Sequence, residues 1–371
     1  MKKIKIILIS IIFLLPFSGF AQSLEGTRDA NISEVFKAKI VEVLEEKVIS
    51  LENGGKIIQQ NLKLRGLSGK WEDKEFEYKG INDIQAINSQ QYKAGDKLII
   101  NYSLDSQEEE MFLIVDKERT NSLYWLVILF IVLIIIVGGF KGLKSLISLA
   151  VTMMVILWFI VPRIFQGANP ILISIIGGAV IVFLVIYLTE GRNQKSYLTV
   201  ISIYLSLIIT GFLSWFFIKI AALSGTASEE IMFLVDSSKV VDFRGLLLAG
   251  IILGAIGVLD DLVISQLATV EEIKRADHNL TVKEVYKRAK RVGVSHLASM
   301  TNTLFLAYVG VALPLLLLFY IKQPPFMTIG QVLNSEIIAT EIVRTLVGSI
   351  GLISAMPIST WIAAKYLKIK S

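Results

Sequence analysis

The sequence predicts a mainly α-helical membrane protein, built as a seven-helix transmembrane bundle with a small N-terminal extracytoplasmic β-barrel-like domain. Three observations predict this fold. Hydrophobic residues make up 54% of the 371 residues. Most of them lie in uncharged runs of about 20 residues, the length of a membrane-spanning helix. Between residues 22 and 121, by contrast, short segments separated by turn signals are typical of strands.

The first 21 residues have the composition of a secretory signal peptide. Three lysines within residues 1–5 precede an apolar stretch at 6–15, and Gly19 and Ala21 supply small residues at a cleavage site. We expect cleavage after this site, so that the signal peptide is residues 1–21. The alternative is an uncleaved anchor helix. Either arrangement places the following domain outside the cytoplasm.

Residues 22–121 are predicted to form a small β-domain. Turn signals such as Asn53-Gly54-Gly55 separate about five strand-like segments, which suits a small barrel or, as the alternative, a sandwich. These segments are 36–40, 56–64, 75–78, 97–102 and 111–115. The domain has no His and the chain has no Cys, so we predict no catalytic site here and interpret the domain as a binding module for an envelope partner. It has no basic patch interleaved with aromatic residues, so we expect no nucleic acid as a partner.

Residues 122–371 are predicted to be a seven-span transmembrane helical domain. The spans are predicted at about 122–140, 143–162, 170–189, 197–220, 245–265, 296–320 and 337–361. Most Lys and Arg residues of this half fall in the loops that this arrangement places inside. Because inner loops carry the excess of basic residues, the pattern predicts a cytoplasmic C-terminus.

The inner segment 266–294 is predicted to be cytoplasmic and amphipathic. Thr281 and Glu284 have the spacing of a capping box, and apolar residues then recur at helical spacing opposite basic ones. A basic amphipathic helix of this kind lies on the inner leaflet. We interpret it as an orientation anchor, with a gating role as the alternative.

Two adjacent aspartates, Asp260 and Asp261, lie within the fifth predicted span. A carboxylate at the bilayer centre costs about 2.5–3.5 kcal/mol on insertion scales, so such residues are usually functional or interfacial. Helix lengths place Asp260 ~6 Å inside the inner boundary, level with Thr301, Asn302 and Thr303 on the next span. That cluster can donate hydrogen bonds to a carboxylate or help to coordinate a cation. The alternative is that the aspartates mark the inner interface of a short span.

Glu341 and Arg344 are three residues apart near the outer third of the seventh span and can form a local ion pair. Together with the aspartates and the Thr-Asn-Thr cluster they form two tiers of polar residues, as an ion or proton relay requires. No other span carries a second aspartate, and the sequence has no HExxH, P-loop or nucleophile-elbow motif. We therefore expect neither enzyme activity nor a metal site or cofactor.

Glycines recur at spacings that predict close helix packing. Small faces let helices approach one another, which is the main packing force in lipid. The residues concerned are Gly250, Gly254 and Gly257 in the fifth span and Gly348 and Gly351 in the seventh.

Three blocks of the membrane half carry a family resemblance. They read GAIGVLDDLVIS at 254–265, MTNTLFLAYVGVALPLLLL at 300–318 and NSEIIATEIVRTLVGSIGLISAMPIST at 334–360. With the order of signal, extracytoplasmic domain and helical bundle, they resemble the bacterial YibE/F-like membrane protein family. This resemblance implies a multi-pass plasma-membrane protein and no particular activity. An Asp-bearing span, a basic inner segment and a Thr-rich span also resemble the SecD/SecF and RND-type helix core, which implies proton coupling.

The sequence leaves two functions open. The first is a secondary, proton-coupled transporter or export factor for a small solute. In it Asp260 is the titrating group, Asn302 and its neighbouring threonines are its partners, and Glu341 and Arg344 form an outer gate or structural pair. The second is a non-transporting membrane scaffold or assembly factor whose β-domain binds an envelope protein. The lipid bilayer is a partner in both. The chain has no duplicated Asp-bearing span of the kind that inverted repeats contain, which favours the second function.

Overall fold

The computed structural model describes residues 34–50, 56–81, 91–104, 110–227, 231, 234, 241–322 and 327–368. The predicted signal peptide lies outside the described residues. The chain divides into two compact units, of which the first ends at Val137 and the second begins at Gly138. The strands are β1 (Glu34–Ser50), β2 (Lys56–Gly66), β3 (Glu75–Lys79), β4 (Lys97–Leu104) and β5 (Glu110–Lys117). The helices are α1 (Thr120–Val155), α2 (Val161–Phe165), α3 (Pro170–Thr189), α4 (Gln194–Ile220), α5 (Phe243–Ala276), α6 (Val282–Val311), α7 (Leu313–Ile321), α8 (Ile329–Asn334) and α9 (Glu336–Tyr366).

The first unit contains a five-stranded antiparallel sheet with the strand order β3-β2-β1-β4-β5. All five predicted strands are present, and each is longer than predicted. Phe36, Ala38 and Ile40 of β1 are buried, as are Leu62 and Leu64 of β2. Because alternate residues of a strand point to the same face, these side chains give the sheet one apolar face.

The sheet is strongly curled. Phe76 in β3 and Phe112 in β5 stack with their ring centroids 4.4 Å apart. In a flat sheet four strand spacings, ~19 Å, would separate these two edges. Register shifts in β1 after Ile40 and Val43 account for part of the curling, since bulges bend a strand and increase its twist. In the part of the chain that the structure describes, β3 does not pair with β5, so closure into a barrel stays a prediction.

The described chain has five helical segments long and apolar enough to cross a membrane, or six if the bent pair α6 and α7 counts as one span. They are Thr120–Phe165, Pro170–Thr189, Gln194–Ile220, Phe243–Ala276 and Glu336–Tyr366. The first has 46 residues, or ~69 Å, about twice the thickness of a bilayer core. Its backbone leaves helical geometry at Gly139, with φ 54° and ψ −131°, a conformation that favours glycine. Seven spans therefore require this break to separate two crossings.

Residues 282–294 of the amphipathic segment and most of the sixth predicted span form one continuous helix, α6, whereas residues 266–276 continue α5. Its predicted capping box is present: the Thr281 hydroxyl accepts from the Glu284 amide, and the Glu284 carboxylate accepts from the Thr281 amide. We expected the apolar residues of this segment to face the inner leaflet, but two of them, Val285 and Ala289, are buried by protein. That expectation is wrong for these two residues. Only residues 277–281 connect α5 to α6, and so short a connection holds the two helices side by side.

The sixth predicted span is also broken near its other end. α6 stops at Val311, and α7 leaves it at an angle of 62°. Pro314 lies in the first turn of α7. Proline has no amide hydrogen and its ring clashes with the preceding turn, so it kinks or breaks a helix. The predicted span 296–320 is therefore bent.

The core of the second unit is built mainly by α3, α4, α5 and α9, with the first turns of α6. Ser202, Ser206, Thr210 and Ser214 form a fully buried row along α4. Each hydroxyl donates to the carbonyl oxygen four residues earlier in its own helix. The row is therefore satisfied within α4 and presents a small surface to its neighbours.

Candidate functional site

Asp260 lies near the middle of α5, a helix that continues past the predicted end of the fifth span. The predicted depth of ~6 Å came from ending the span at residue 265. α5 instead continues to Ala276, and Gln266 is buried within it. The first charged residue after Asp261 is Glu271, ~16 Å along the helix from Asp260.

The Asp260 carboxylate has little to stabilise a charge. Its Oδ1 accepts a hydrogen bond from the Asp261 amide at 2.8 Å. Within the described residues no cationic side chain is close enough to form an ion pair with it. Asp260 is half-buried and Asp261 is exposed, as expected for adjacent helix positions that point about 100° apart. The Asp260 carboxylate therefore has one backbone hydrogen bond and no ion-pair partner in the described chain.

The Thr-Asn-Thr cluster on α6 does not bind Asp260 in this conformation. Thr303 Oγ1 donates to the Ser299 carbonyl of its own helix at 3.0 Å. Asn302 is exposed and Thr301 is half-buried. No hydrogen bond joins the three residues to Asp260 among the residues described, so their role as its partners stays a prediction. Across the described chain, no three His, Asp or Glu side chains lie close enough together to hold a metal ion.

Glu341 and Arg344 form the ion pair that their spacing predicts, with Arg344 Nη1 donating to Glu341 Oε1 at 2.7 Å. Both side chains line a cavity of about 370 Å³. Thr340 lines it as well, and its buried hydroxyl oxygen has no hydrogen-bond partner among the described residues. The remaining wall is largely apolar and includes Gly225, Ile231, Leu246, Leu247, Gly250 and Ile337.

The two candidate packing glycines of α9 have different surroundings. A methyl group added at Gly351 would lie 2.1 Å from Thr210 Oγ1 of α4, so the two helices touch here with no room for a side chain. At Gly348 the nearest atom is Leu304 Cδ2, at an ordinary 3.8 Å. Gly351 therefore has the predicted close helix contact, whereas Gly348 tolerates a methyl group.

The glycines of α5 form an open face instead of a packed one. Among the described residues, a methyl group at Gly250 or Gly257 would meet nothing within 4 Å, and one at Gly254 would meet only the Tyr308 hydroxyl, at 3.8 Å. The packing prediction is therefore wrong at Gly250 and Gly257. These three glycines and Asp261 are all exposed and recur at helical spacing on one face. The face extends from the cavity, which Gly250 lines, to the aspartates.

Gln266 links three helices and was not singled out in the sequence. It is 3% exposed, and its Nε2 donates to the Ala289 carbonyl at 3.0 Å and to Thr360 Oγ1 at 2.8 Å. A methyl group at Gly293 would approach Gln266 Oε1 to 2.6 Å, so α5 and α6 are in close contact here. The sequence held a signal for these contacts: Gln266 is a lone amide side chain in an apolar helix, and such a group needs hydrogen-bond partners when it is buried.

A charged cluster follows Gln266 toward the end of α5. Lys195 pairs with Glu190 at 3.1 Å and with Glu271 at 3.4 Å, and Arg275 pairs with Glu271 at 2.6 Å. These four side chains join α5 to the start of α4. Between this cluster and the aspartates, α5 carries only uncharged residues.

Glu336 makes a second set of polar contacts that the sequence analysis did not predict. Its Oε1 accepts hydrogen bonds from the amides of Ser224 and Gly225, the latter at 2.8 Å. The Ser224 hydroxyl donates to the same carboxylate at 2.8 Å. The first turn of α9 is thereby tied to the loop after α4, and Gly225 of that loop lines the cavity.

We expect Glu336→Ala to destabilise the second unit by about 2 kcal/mol, because it removes charge-assisted hydrogen bonds and leaves amide donors without their partner. Glu336→Gln retains an Oε1 acceptor and should have a smaller effect. Thermal unfolding of the purified protein in detergent measures both. The control is Glu272→Ala, whose side chain is 73% exposed and has one ion-pair contact, at 3.8 Å. A Glu336→Ala protein as stable as this control would contradict the structural role.

The fold and this site define a polytopic helical membrane protein. The chain belongs to the YibE/F-like protein family, whose model matches residues 126–369. No curated protein and no solved structure matches the chain. The match covers the whole of α5, α6 and α9, which carry the aspartates, the Thr-Asn-Thr cluster and the ion pair.

Proposed function

We propose that this chain is a secondary, proton-coupled transporter or export factor in which the Asp260 carboxylate binds and releases the coupling proton. The observation that carries the proposal is the position of Asp260. It has no ion-pair partner in the described chain, and Glu271, the first charged residue after the adjacent Asp261, lies ~16 Å further along α5. Intramembrane carboxylates of this kind are expensive and serve ion or proton pathways.

The open face of α5 supports a route for the proton. A proton relay must be reached by water from at least one side of the membrane. Gly250, Gly254 and Gly257 carry no side chains, and no described residue lies within 4 Å of a methyl group added at Gly250 or Gly257. Water along this face would connect the cavity to Asp260 and Asp261. Glu341 and Arg344 lie at the cavity end of the route, where they form its outer gate.

The proposal includes a topology. The signal peptide of residues 1–21 is removed, the domain of residues 22–121 closes as a barrel-like module outside the plasma membrane, and the C-terminus is cytoplasmic. The break at Gly139 separates two crossings, which gives seven spans. The protein acts without enzyme chemistry or a cofactor and does not bind nucleic acid. Its partners are the lipid bilayer, a small solute and an envelope protein.

One observation favours the alternative of a non-transporting scaffold. Val35, Val48 and Val115 of the sheet are 60%, 50% and 57% exposed. Apolar side chains on the outside of a small sheet are suited to contact with a protein partner. A scaffold needs no water at Asp260, so the two functions differ in a measurable property.

Water access to Asp260 distinguishes the transporter from the scaffold. The chain has no cysteine, so a single Gly257→Cys variant carries one thiol, at a position with free space around it. We expect a membrane-impermeant maleimide to label this thiol in membrane vesicles, because water must reach the neighbouring aspartate. The controls are Ile208→Cys, 67% exposed in an apolar span, and the fully buried Ser206→Cys. A Gly257→Cys thiol as unreactive as both controls would contradict the relay and favour the scaffold.

A further inference from the structure

We infer that the cavity beside Glu341 and Arg344 is a binding site for a small aliphatic carboxylate that also carries a hydrogen-bond donor, such as an α-amino or α-hydroxy acid. That the bound solute is the transported one rests on the proposed function. The binding itself does not, since it follows from the groups that line the cavity.

The cavity has unused donors for a carboxylate. Arg344 carries five N–H donors, and within the described chain its guanidinium makes one hydrogen bond, to Glu341. A guanidinium binds a carboxylate through two parallel hydrogen bonds. Thr340 adds a hydroxyl that lacks a partner among the described residues. A buried polar group without a partner costs free energy, so a ligand that supplies one is favoured.

The cavity also has one acceptor. The hydrogen bond from Arg344 occupies Glu341 Oε1, whereas Oε2 has no hydrogen bond within the described residues. This oxygen can accept from an ammonium or hydroxyl group on the ligand. The ion pair alone is electrically neutral, so a zwitterion adds no net charge to the site. A carboxylate with an adjacent donor therefore matches the polar side of the cavity.

The size and the apolar wall limit the rest of the ligand. A volume of about 370 Å³ is at the small end for ligand sites and holds roughly 12 waters at ~30 Å³ each. The rest of the wall is apolar and suits a short aliphatic group. It includes Ile231, Leu246, Leu247 and Ile337. Inorganic phosphate has no apolar part to place against these side chains.

Binding is tested by calorimetric titration of the full chain in phosphatidylcholine nanodiscs. The probes are L-leucine, isovalerate, isoamylamine and inorganic phosphate. We expect leucine to bind, isovalerate to bind at least about tenfold more weakly, and the other two not to bind. Glu341→Gln should abolish the preference for leucine over isovalerate. Binding of isoamylamine or phosphate in place of the carboxylates, or no binding at all, would overturn the assignment.

Two variants locate the site. Gly250→Leu places a side chain into the cavity from a position where a methyl group meets nothing within 4 Å, so it should fold and weaken leucine binding at least tenfold. Gly310→Leu is the matched control, since Gly310 is a helical glycine with equal free space and does not line the cavity. Arg344→Gln should weaken the binding of both leucine and isovalerate at least tenfold. Equal leucine affinity in Gly250→Leu and Gly310→Leu would place the ligand elsewhere and overturn the inference.

A lipid could supply the same carboxylate. Nanodiscs that contain phosphatidylserine test this source, because its headgroup carries a carboxylate and an ammonium group. We expect leucine to bind equally in both lipid compositions. Suppose that phosphatidylserine prevents leucine from binding to the wild-type protein and has no effect on the Arg344→Gln protein. The site then belongs to a lipid, and the small-solute assignment is wrong. These titrations involve no transport, so a failure to bind leucine would not contradict the Asp260 relay. An unreactive Gly257→Cys thiol, in turn, would not contradict leucine binding.

Discussion

Gly351→Ala is expected to destabilise the second unit by about 3 kcal/mol, at the upper end of the range for overpacked cores. The added methyl group would lie 2.1 Å from Thr210 Oγ1 and 3.2 Å from Thr210 Cβ. Both atoms belong to a fully buried residue of α4, and the Thr210 hydroxyl is already bound to the Ser206 carbonyl at 2.9 Å. The clash is relieved only if α4 and α9 separate. Thermal unfolding in detergent measures the loss.

Two variants show whether this contact is the cause. Gly348→Ala, one turn earlier in α9, should be neutral or slightly stabilising, because alanine favours helix by about 1 kcal/mol over glycine and its methyl group meets an ordinary contact. Thr210→Ala combined with Gly351→Ala should recover part of the stability by removing the closest atom. A Gly351→Ala protein as stable as Gly348→Ala would contradict the close approach of α4 and α9.

Asp260→Asn is expected to reduce the activity of the protein to the level of a strain that lacks it. Asparagine has nearly the shape of aspartate but cannot bind and release a proton at neutral pH. The hydrogen bond from the Asp261 amide survives, because the asparagine side-chain oxygen also accepts. The substitution therefore removes the titrating group and preserves the local geometry. Asp260→Glu keeps a carboxylate and should retain part of the activity.

Local patterns predicted most elements of the fold. Pro170–Thr189 has the predicted bounds because its signals are adjacent in sequence: Asn169 accepts hydrogen bonds from two amides of the first turn, and Pro170 follows it. The capping box of α6 and the Glu341–Arg344 pair also join residues three apart. Each depends on neighbours along one helix or strand, which sequence spacing describes directly.

Contacts between distant residues could not be predicted in the same way. Gln266 reaches Thr360, 94 positions away, and Glu336 reaches Ser224, 112 positions away. The glycines of α5 and α9 have the same spacing signal, yet Gly351 touches another helix and Gly250 faces open space. A small residue permits either arrangement, and which one forms depends on where the other helices lie.

The central claim is that the Asp260 carboxylate must take up and release a proton. The most direct measurement compares strains lacking the protein that are complemented with wild type, Asp260→Asn, Asp260→Glu or the control Glu272→Gln, at matched membrane levels. The readout is the profile of solutes and exported proteins inside and outside the cell. We predict that Asp260→Asn matches the uncomplemented strain, whereas Asp260→Glu retains part of the wild-type profile and Glu272→Gln all of it. A wild-type profile with Asp260→Asn would contradict the relay and leave the carboxylate a structural role.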